Sequence, residues 1–129
     1  MISINKAILD DLLIQAKENE RQRINIDLRN SSDDKSQRML NALIPGTELS
    51  IHRHMTTSET VILIQGNIDE IFYDDEKNEI ERFHLNLASG NYGIQIPAGM
   101  WHTIEVFEPS VIIEMKDGQY IPITPKDIL

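Results

Sequence analysis

The chain has 129 residues, 40% of them hydrophobic, which is enough for one domain with a buried core and too little for two domains of ordinary size. Its 21 acidic residues outnumber its 12 lysines and arginines, and the formal net charge of −9 argues against nucleic acid or an anionic membrane as a partner. No apolar run approaches the roughly 18–20 residues of a membrane helix, and the N-terminus lacks the features of a signal peptide, so we expect a cytoplasmic protein.

The first predicted element is an amphipathic helix at the N-terminus. Apolar residues recur at three-to-four spacing from Ile4 to Ala16, with charged residues between them. Downstream, the apolar period changes to two in short runs that are separated by turn-like segments: ELSIHRH, TVILIQG, IDEIFYD, EIERFHLNL, YGIQIP, HTIEVF and SVIIEMK. Many short strands favour an antiparallel sandwich or barrel such as a jelly roll. We therefore predict one domain over residues 1–129, with a helix at 1–20 and a β-barrel at 21–129.

The segment GTELSIHRHMTTSETVILIQG carries a histidine pair inside a strand-like run. His52 and His54 are two positions apart, so in a strand their side chains project from one face. Glu59 follows after a short turn. Two imidazoles and a carboxylate are typical ligands of a divalent metal, although a chance surface cluster is the alternative. Because the chain has no cysteine, histidine and carboxylate are its available metal ligands.

A second segment, GIQIPAGMWH, places Pro97, Gly99 and His102 on a turn that leads into another strand. The two segments resemble the signature motifs of the cupin superfamily. The first motif matches at all five of its positions: Gly46, His52, His54, Glu59 and Gly66. The second matches at Pro97, Gly99 and His102, but Val106 stands where the closing asparagine is usual and the leading glycine is displaced.

This resemblance implies an all-β fold, the cupin double-stranded β-helix or jelly-roll barrel, preceded by the N-terminal α-helix. It also implies one divalent metal ion held by His52, His54, Glu59 and His102. Three neutral imidazoles and one carboxylate leave the ion a residual charge of about +1 and one or two open positions, which suits ligand capture or catalysis. Nitrogen and oxygen donors fit Fe, Mn, Ni, Zn or Co, and the sequence does not distinguish among these metals.

A narrower resemblance is to the WbuC family of cupin-fold metalloproteins. It is carried by RQRINIDLR, QRMLNALIPGT, HRH, IPAGMWHT and EMKDGQYIP, with Gln119 in place of a usual proline and Arg29 where a histidine is common. The resemblance implies a small single-domain protein connected with bacterial surface-polysaccharide biosynthesis.

Four further polar residues are candidates for binding a substrate. Arg23 and Arg38 could bind a carboxylate or phosphate, and Asn25 could add an amide hydrogen bond. The alternative is that the arginines form structural ion pairs, for instance with Glu114. Glu114 itself is a candidate base or arginine partner if its strand face points inward.

The sequence leaves the reaction open. The first hypothesis is a metal-dependent protein that acts on or binds a small anionic or sugar-like molecule, as an isomerase or epimerase or as an Fe(II)-dependent dioxygenase. The second is a non-catalytic module that binds or senses a small ligand through the metal. By analogy with cupin barrels, which commonly pair edge to edge, we expect a homodimer.

Overall fold

The computed structural model describes all residues from Met1 to Leu129 and contains one α-helix, six strands and two short 3₁₀ turns. The elements are α1 (Lys6–Glu18), β1 (Arg23–Asp27), β2 (Ser36–Leu43), β3 (Glu59–Tyr73), β4 (Glu79–Asn86), β5 (Gly93–Ile96) and β6 (Trp101–Asp117), with 3₁₀ turns at Leu87–Ser89 and Pro125–Asp127. The helix is shorter than predicted because the Asn5 side chain accepts a hydrogen bond from the Ile8 amide at 3.1 Å and begins it there. No helix of the chain is long and apolar enough to cross a membrane.

The strands form one antiparallel sheet in the order β1-β2-β6-β3-β4, and β5 pairs separately with β3. The first part of β3 pairs with β5, whereas its second part pairs with β4, so β3 takes part in both halves of the rolled sheet. The predicted all-β barrel with an N-terminal helix is therefore confirmed.

Each of the two long strands, β3 and β6, joins two runs that the sequence predicted as separate strands. Their register shifts between Leu63 and Ile68, where the sheet bends. Gly66 lies in this bend with φ of +103°, and a Cβ atom there would lie 2.1 Å from Ser110 Oγ. Glycine therefore lets β3 and β6 approach closely and continue through the bend, where a larger residue would force them apart.

The core has two parts on opposite faces of the sheet. The interior of the barrel holds Leu43, Val61, Leu63, Ile68, Phe72, Leu85, Ile96 and Ile112. The second part lies between the helix and the outer face of the sheet and holds Leu9, Leu12, Ala16, Leu40, Ala42, Ile44 and Val111. Helix α1 thus packs its apolar face on the barrel wall. The site described below lies in the barrel interior, next to the apolar residues there.

The predicted strand ELSIHRH is wrong as a continuous element. Within it, only His52 forms β-bridges, which are isolated ones to His102 and Ile128. His52 and His54 are therefore held by individual backbone contacts in an irregular extended segment.

Candidate metal centre

Three histidines converge at one end of the barrel interior. The backbones of His52 and His102 exchange hydrogen bonds at 3.0 and 2.9 Å, which places their rings side by side with centroids 4.4 Å apart. The His54 carbonyl accepts a hydrogen bond from the Gly99 amide at 2.8 Å, and this bond ties the histidine segment to the turn before His102. One ring nitrogen from each histidine lies within 4.8 Å of the other two.

Backbone carbonyls determine which ring nitrogen of His52 and of His102 is free to bind a metal. Nδ1 of His52 lies 2.9 Å from the Ser50 carbonyl oxygen, and Nδ1 of His102 lies 2.9 Å from the Met100 carbonyl oxygen. A carbonyl only accepts hydrogen bonds, so each Nδ1 donates its proton and each Nε2 keeps a free lone pair. Metal-ligating histidines are commonly oriented by such a bond on the second nitrogen.

Glu59 supplies an oxygen to the same cluster from the first residue of β3. Its Oε2 lies 3.3 Å from Nε2 of His102 and 3.6 Å from Nε2 of His54. This oxygen is buried and has no hydrogen-bond partner. Buried polar atoms normally have a partner, and a cation shared with the imidazole nitrogens would provide one. The residues present therefore fit a divalent metal of the nitrogen- and oxygen-binding class.

The protonation states also fit a cation. Burial lowers the pKa of His52, with a further contribution from His102, and burial followed by the charge of Lys116 lowers the pKa of His54 to about 4. Burial acts to raise the pKa of Glu59, but the neighbouring His102 and Lys116 outweigh it and bring the pKa to about 2. At neutral pH the cluster thus combines uncharged imidazoles at His52 and His54 with an ionised carboxylate.

The cluster opens into a cavity of about 620 Å³, within the range of small-molecule sites. Asn41, Glu70, Glu114 and Lys116 line its inner wall. These side chains reach it because strands β2, β3 and β6 alternate between interior and exterior faces.

A protein-family model described as "Domain of unknown function (DUF6016)" matches residues 4–85, more than half of the chain. The chain belongs to this family. No curated protein matches the DUF6016 chain.

Solved structures show that this DUF6016 protein has the cupin fold. The capsular polysaccharide assembling protein CapF from Staphylococcus aureus superposes with a TM-score of 0.68 at 22% identity over 86% of this chain and 32% of CapF. KdgF from Halomonas sp. superposes with a TM-score of 0.60 at 14% identity over 76% of this chain and 82% of KdgF. Oxalate oxidase in complex with the substrate analogue glycolate superposes with a TM-score of 0.64 at 11% identity over 82% of this chain and 56% of the oxidase. The DUF6016 chain thus spans about a third of the CapF chain.

Glu114, one of the four predicted substrate-binding residues, lies in the cavity. It is 3.5 Å from the Asn41 amide nitrogen and 4.0 Å from the Lys116 ammonium. Burial, reinforced by the negative charge of Glu59, raises the pKa of Glu114 to about 7. The face of β6 that carries Glu114 points inward, as its candidate role in substrate binding requires.

Arg23, Asn25 and Arg38 do not line the cavity. Arg23 donates hydrogen bonds to Thr47 Oγ1 and to the Glu48 carbonyl, Arg38 pairs with Asp34 at 3.1 Å, and Asn25 is exposed on β1. Their role in substrate binding stays a prediction from the sequence alone.

The sequence reading missed two residues of the cavity, Glu70 and Arg53. Glu70 lies in the middle of β3. The sequence feature that could have identified it is a carboxyl group two positions from each of the apolar residues Ile68 and Phe72. Arg53, between the two histidines of the first motif, stacks 4.2 Å above the Trp101 ring and pairs with Asp127 at 3.0 Å. Trp101, the chain neighbour of His102, therefore packs behind the histidine segment.

The C-terminal segment, defined here as residues 119–129, lies along the mouth of the cavity. Its backbone is attached to the histidine segment by hydrogen bonds from the Arg53 amide to the Asp127 carbonyl at 3.1 Å and from the Leu129 amide to the Ile51 carbonyl at 2.8 Å. Residues of this segment, among them Tyr120 and Ile121, line the cavity. The cavity that holds the histidines is therefore lined in part by a segment that comes late in the chain.

Proposed function

We propose that this DUF6016 protein binds one divalent cation through His52, His54, His102 and Glu59 and uses it to hold a small molecule in the barrel. The observation that carries the proposal is the buried, unpartnered Oε2 of Glu59, which faces the Nε2 atoms of His54 and His102. Fe, Mn, Ni, Zn and Co all accept this donor set.

The bound cation would act as a Lewis acid toward an oxygen of the ligand. The chain would supply the rest of the site. His52 and His102 are oriented by the carbonyls of Ser50 and Met100.

The test is the metal content of protein purified without chelator, followed by titration of the chelator-treated protein with Co²⁺ and Zn²⁺. We expect about one equivalent in the wild type and affinity reduced at least about ten-fold in His52→Ala and His102→Ala, because each variant removes one donor. His84→Ala is the matched control, since His84 lies on β4 and pairs with Asp69 outside the cluster. Wild-type stoichiometry and affinity in both cluster variants would refute the assignment.

For the ligand we propose a small anionic or sugar-like molecule. The cavity supports this because Lys116 and Lys126 line it in addition to Arg53, which pairs with Asp127. The WbuC resemblance and the likeness to a capsular polysaccharide assembling protein favour a link to surface-polysaccharide biosynthesis. A thermal-shift screen of the metal-loaded protein with sugar phosphates and nucleotide sugars tests the ligand class.

The metal-loaded protein is either an enzyme or a binding module, and turnover separates the two. An isomerase or epimerase would convert a sugar derivative that stabilises the protein, and an Fe(II)-dependent dioxygenase would consume oxygen with it. Stabilisation without conversion or oxygen uptake supports the binding module.

We also propose that residues 1–129 form a single domain and that the protein pairs as a homodimer. Strands β1 and β4 are the free edges of the main sheet, and Ile80 and Phe83 are exposed on β4. Such edges are commonly covered by a second copy. Sedimentation analysis measures the oligomeric state directly.

A further inference from the structure

Glu70 occupies an unusual place for a carboxyl group. It lies in β3 between Ile68 and Phe72, which alternate with it on the same strand face and belong to the apolar interior of the barrel. Its exposed fraction is 0%. The adjacent Asp69 points to the opposite face, where it pairs with Arg82 and His84. The acidic side chain at position 70 is thus directed into the cavity that holds the histidine cluster.

Both carboxyl oxygens of Glu70 are buried and have no hydrogen-bond partner. The other inward carboxylates differ, since Glu59 Oε2 faces two imidazoles and Glu114 lies beside Asn41 and Lys116. An unpartnered buried carboxyl group is costly for folding, so an apolar residue would serve the barrel better if Glu70 had only a structural role. Its position instead fits a group whose partner enters the cavity.

The surroundings of Glu70 favour its uncharged form. Burial is the main cause that raises its pKa well above the usual range, and the negative charges of Glu59 and Glu114 add to it. A protonated carboxyl group donates one hydrogen bond and does not repel an anion. Two positive charges would attract an anion to this cavity: that of Lys116, which lies 4.0 Å from the Glu114 carboxyl group, and the residual charge of a cation in the histidine cluster.

We propose that Glu70 is a ligand-binding residue that donates a hydrogen bond to an anionic oxygen of a small carboxylate held between the histidine cluster and Lys116. This inference rests on the proposed metal site and adds to it the ligand class and one recognition residue. Glu70 would require an acceptor oxygen on the ligand for its carboxyl proton, while the positive charges of the cation and Lys116 would favour an anionic one.

The experiment uses acetate as the probe and Co²⁺-loaded protein, whose visible spectrum changes when an anion joins the coordination sphere. The variants are Glu70→Gln, which keeps a neutral hydrogen-bond donor, and Glu70→Leu, which removes it. Glu81→Gln and Glu81→Leu are matched controls, because Glu81 is exposed on the neighbouring strand β4 and does not line the cavity.

We expect Glu70→Gln to bind acetate within about five-fold of the wild type and Glu70→Leu to bind at least about ten-fold more weakly, the loss typical of a hydrogen bond to a charged group. Cobalt stoichiometry should be unchanged in all four variants. Glu70→Leu should also raise Tm by a few degrees, because it removes an unpaired buried polar group.

Each contrary result has a distinct meaning. Wild-type acetate affinity in Glu70→Leu, or no spectral response of the wild type to acetate, overturns the role of Glu70 while leaving the metal site intact. Acetate affinity raised more than ten-fold in Glu70→Gln shows that Glu70 is ionised, and a large fall in Tm in both variants shows that it is structural; both overturn the proposal. Failure of the wild type to bind Co²⁺ refutes the metal site itself and this inference with it.

Discussion

Glu59 is buried and Glu114 is half-buried on the interior face of the barrel, and their surroundings move the pKa values of the two carboxyl groups in opposite directions. Glu59 adjoins two imidazoles and the charge of Lys116, and its pKa falls to about 2. Glu114 has burial as its main influence, and its pKa rises to about 7. Two carboxyl groups whose pKa values differ in this way can take different roles in one site. One is a permanent anion, and the other gains and loses a proton near neutral pH.

Glu114 therefore makes the stability of the metal-free protein depend on pH. Its folded-state pKa of about 7 lies above the model value of 4.5, so the folded state holds the proton more tightly and this contribution is lost as pH rises through 7. Relative to Glu114→Gln, we expect the wild type to lose up to about 3 kcal/mol of unfolding free energy between pH 4.5 and 8. Urea unfolding of both proteins with a chelator, across this range, measures the difference.

Glu81→Gln is the control for this measurement, since Glu81 is exposed on β4 and should give a difference that is nearly independent of pH. A wild-type curve parallel to that of Glu114→Gln would contradict the raised pKa of Glu114.

Strands β3 and β6 are long because each continues through a bend where the sequence predicted two separate strands. Gly66 in β3 meets Ser110 in β6 at this bend, and Ser110 Oγ accepts a hydrogen bond from the Asn67 amide at 2.9 Å and donates one to the Glu108 carbonyl at 2.7 Å. These side-chain bonds replace part of the backbone pairing that the register shift removes. The bend brings Glu59, at the start of β3, and His102, near the start of β6, into the same site.

The variants Gly66→Ala and Gly46→Ala distinguish the effect of close packing on the free energy of unfolding from the effect of backbone strain. Both glycines have positive φ, +103° and +96°, but a Cβ at Gly46 meets nothing within 4 Å whereas one at Gly66 overlaps Ser110. We expect Gly46→Ala to cost about 1–2 kcal/mol of unfolding free energy and Gly66→Ala about 3–5 kcal/mol. Urea denaturation measures both losses, and equal losses would show that Ser110 does not constrain the bend.

The barrel and its C-terminal segment close the site together. Arg53 connects the two, because its guanidinium stacks on Trp101 and pairs with Asp127 while its amide donates to the Asp127 carbonyl. The ion pair is largely buried, with 25% and 14% of the side chains exposed, so solvent screens it less than a surface pair.

Arg53→Ala should therefore loosen the mouth of the cavity. We expect a loss of about 1–2 kcal/mol in unfolding free energy together with faster exchange of the Leu129 amide, which donates to the Ile51 carbonyl of the histidine segment. Lys6→Ala is the matched control, because its ion pair with Asp10 is exposed on the helix and should contribute close to nothing. Unchanged exchange in Arg53→Ala would mean that the segment is held by other contacts.

The prediction from the sequence was most accurate where residue type and spacing carry the information. Three-to-four spacing predicted α1, alternating apolar residues predicted the β-rich remainder, and the histidine spacing singled out His52, His54 and His102, which the structure brings together. The helix boundaries were less accurate, because Asn5 starts α1 by a capping bond that the apolar period does not encode.

The sequence could not place Arg23, Arg38 and Glu70, because their positions depend on which strand face turns inward after the sheet rolls up. Alternation shows that two residues share a face, but it does not show which face is the interior. Local patterns along the chain were therefore sufficient for the fold class and for the candidate metal ligands. The composition of the cavity, with Glu70 unpaired and Glu114 beside Lys116, follows from contacts between β2, β3, β6 and the C-terminal segment, which are distant in sequence and meet only in the folded barrel.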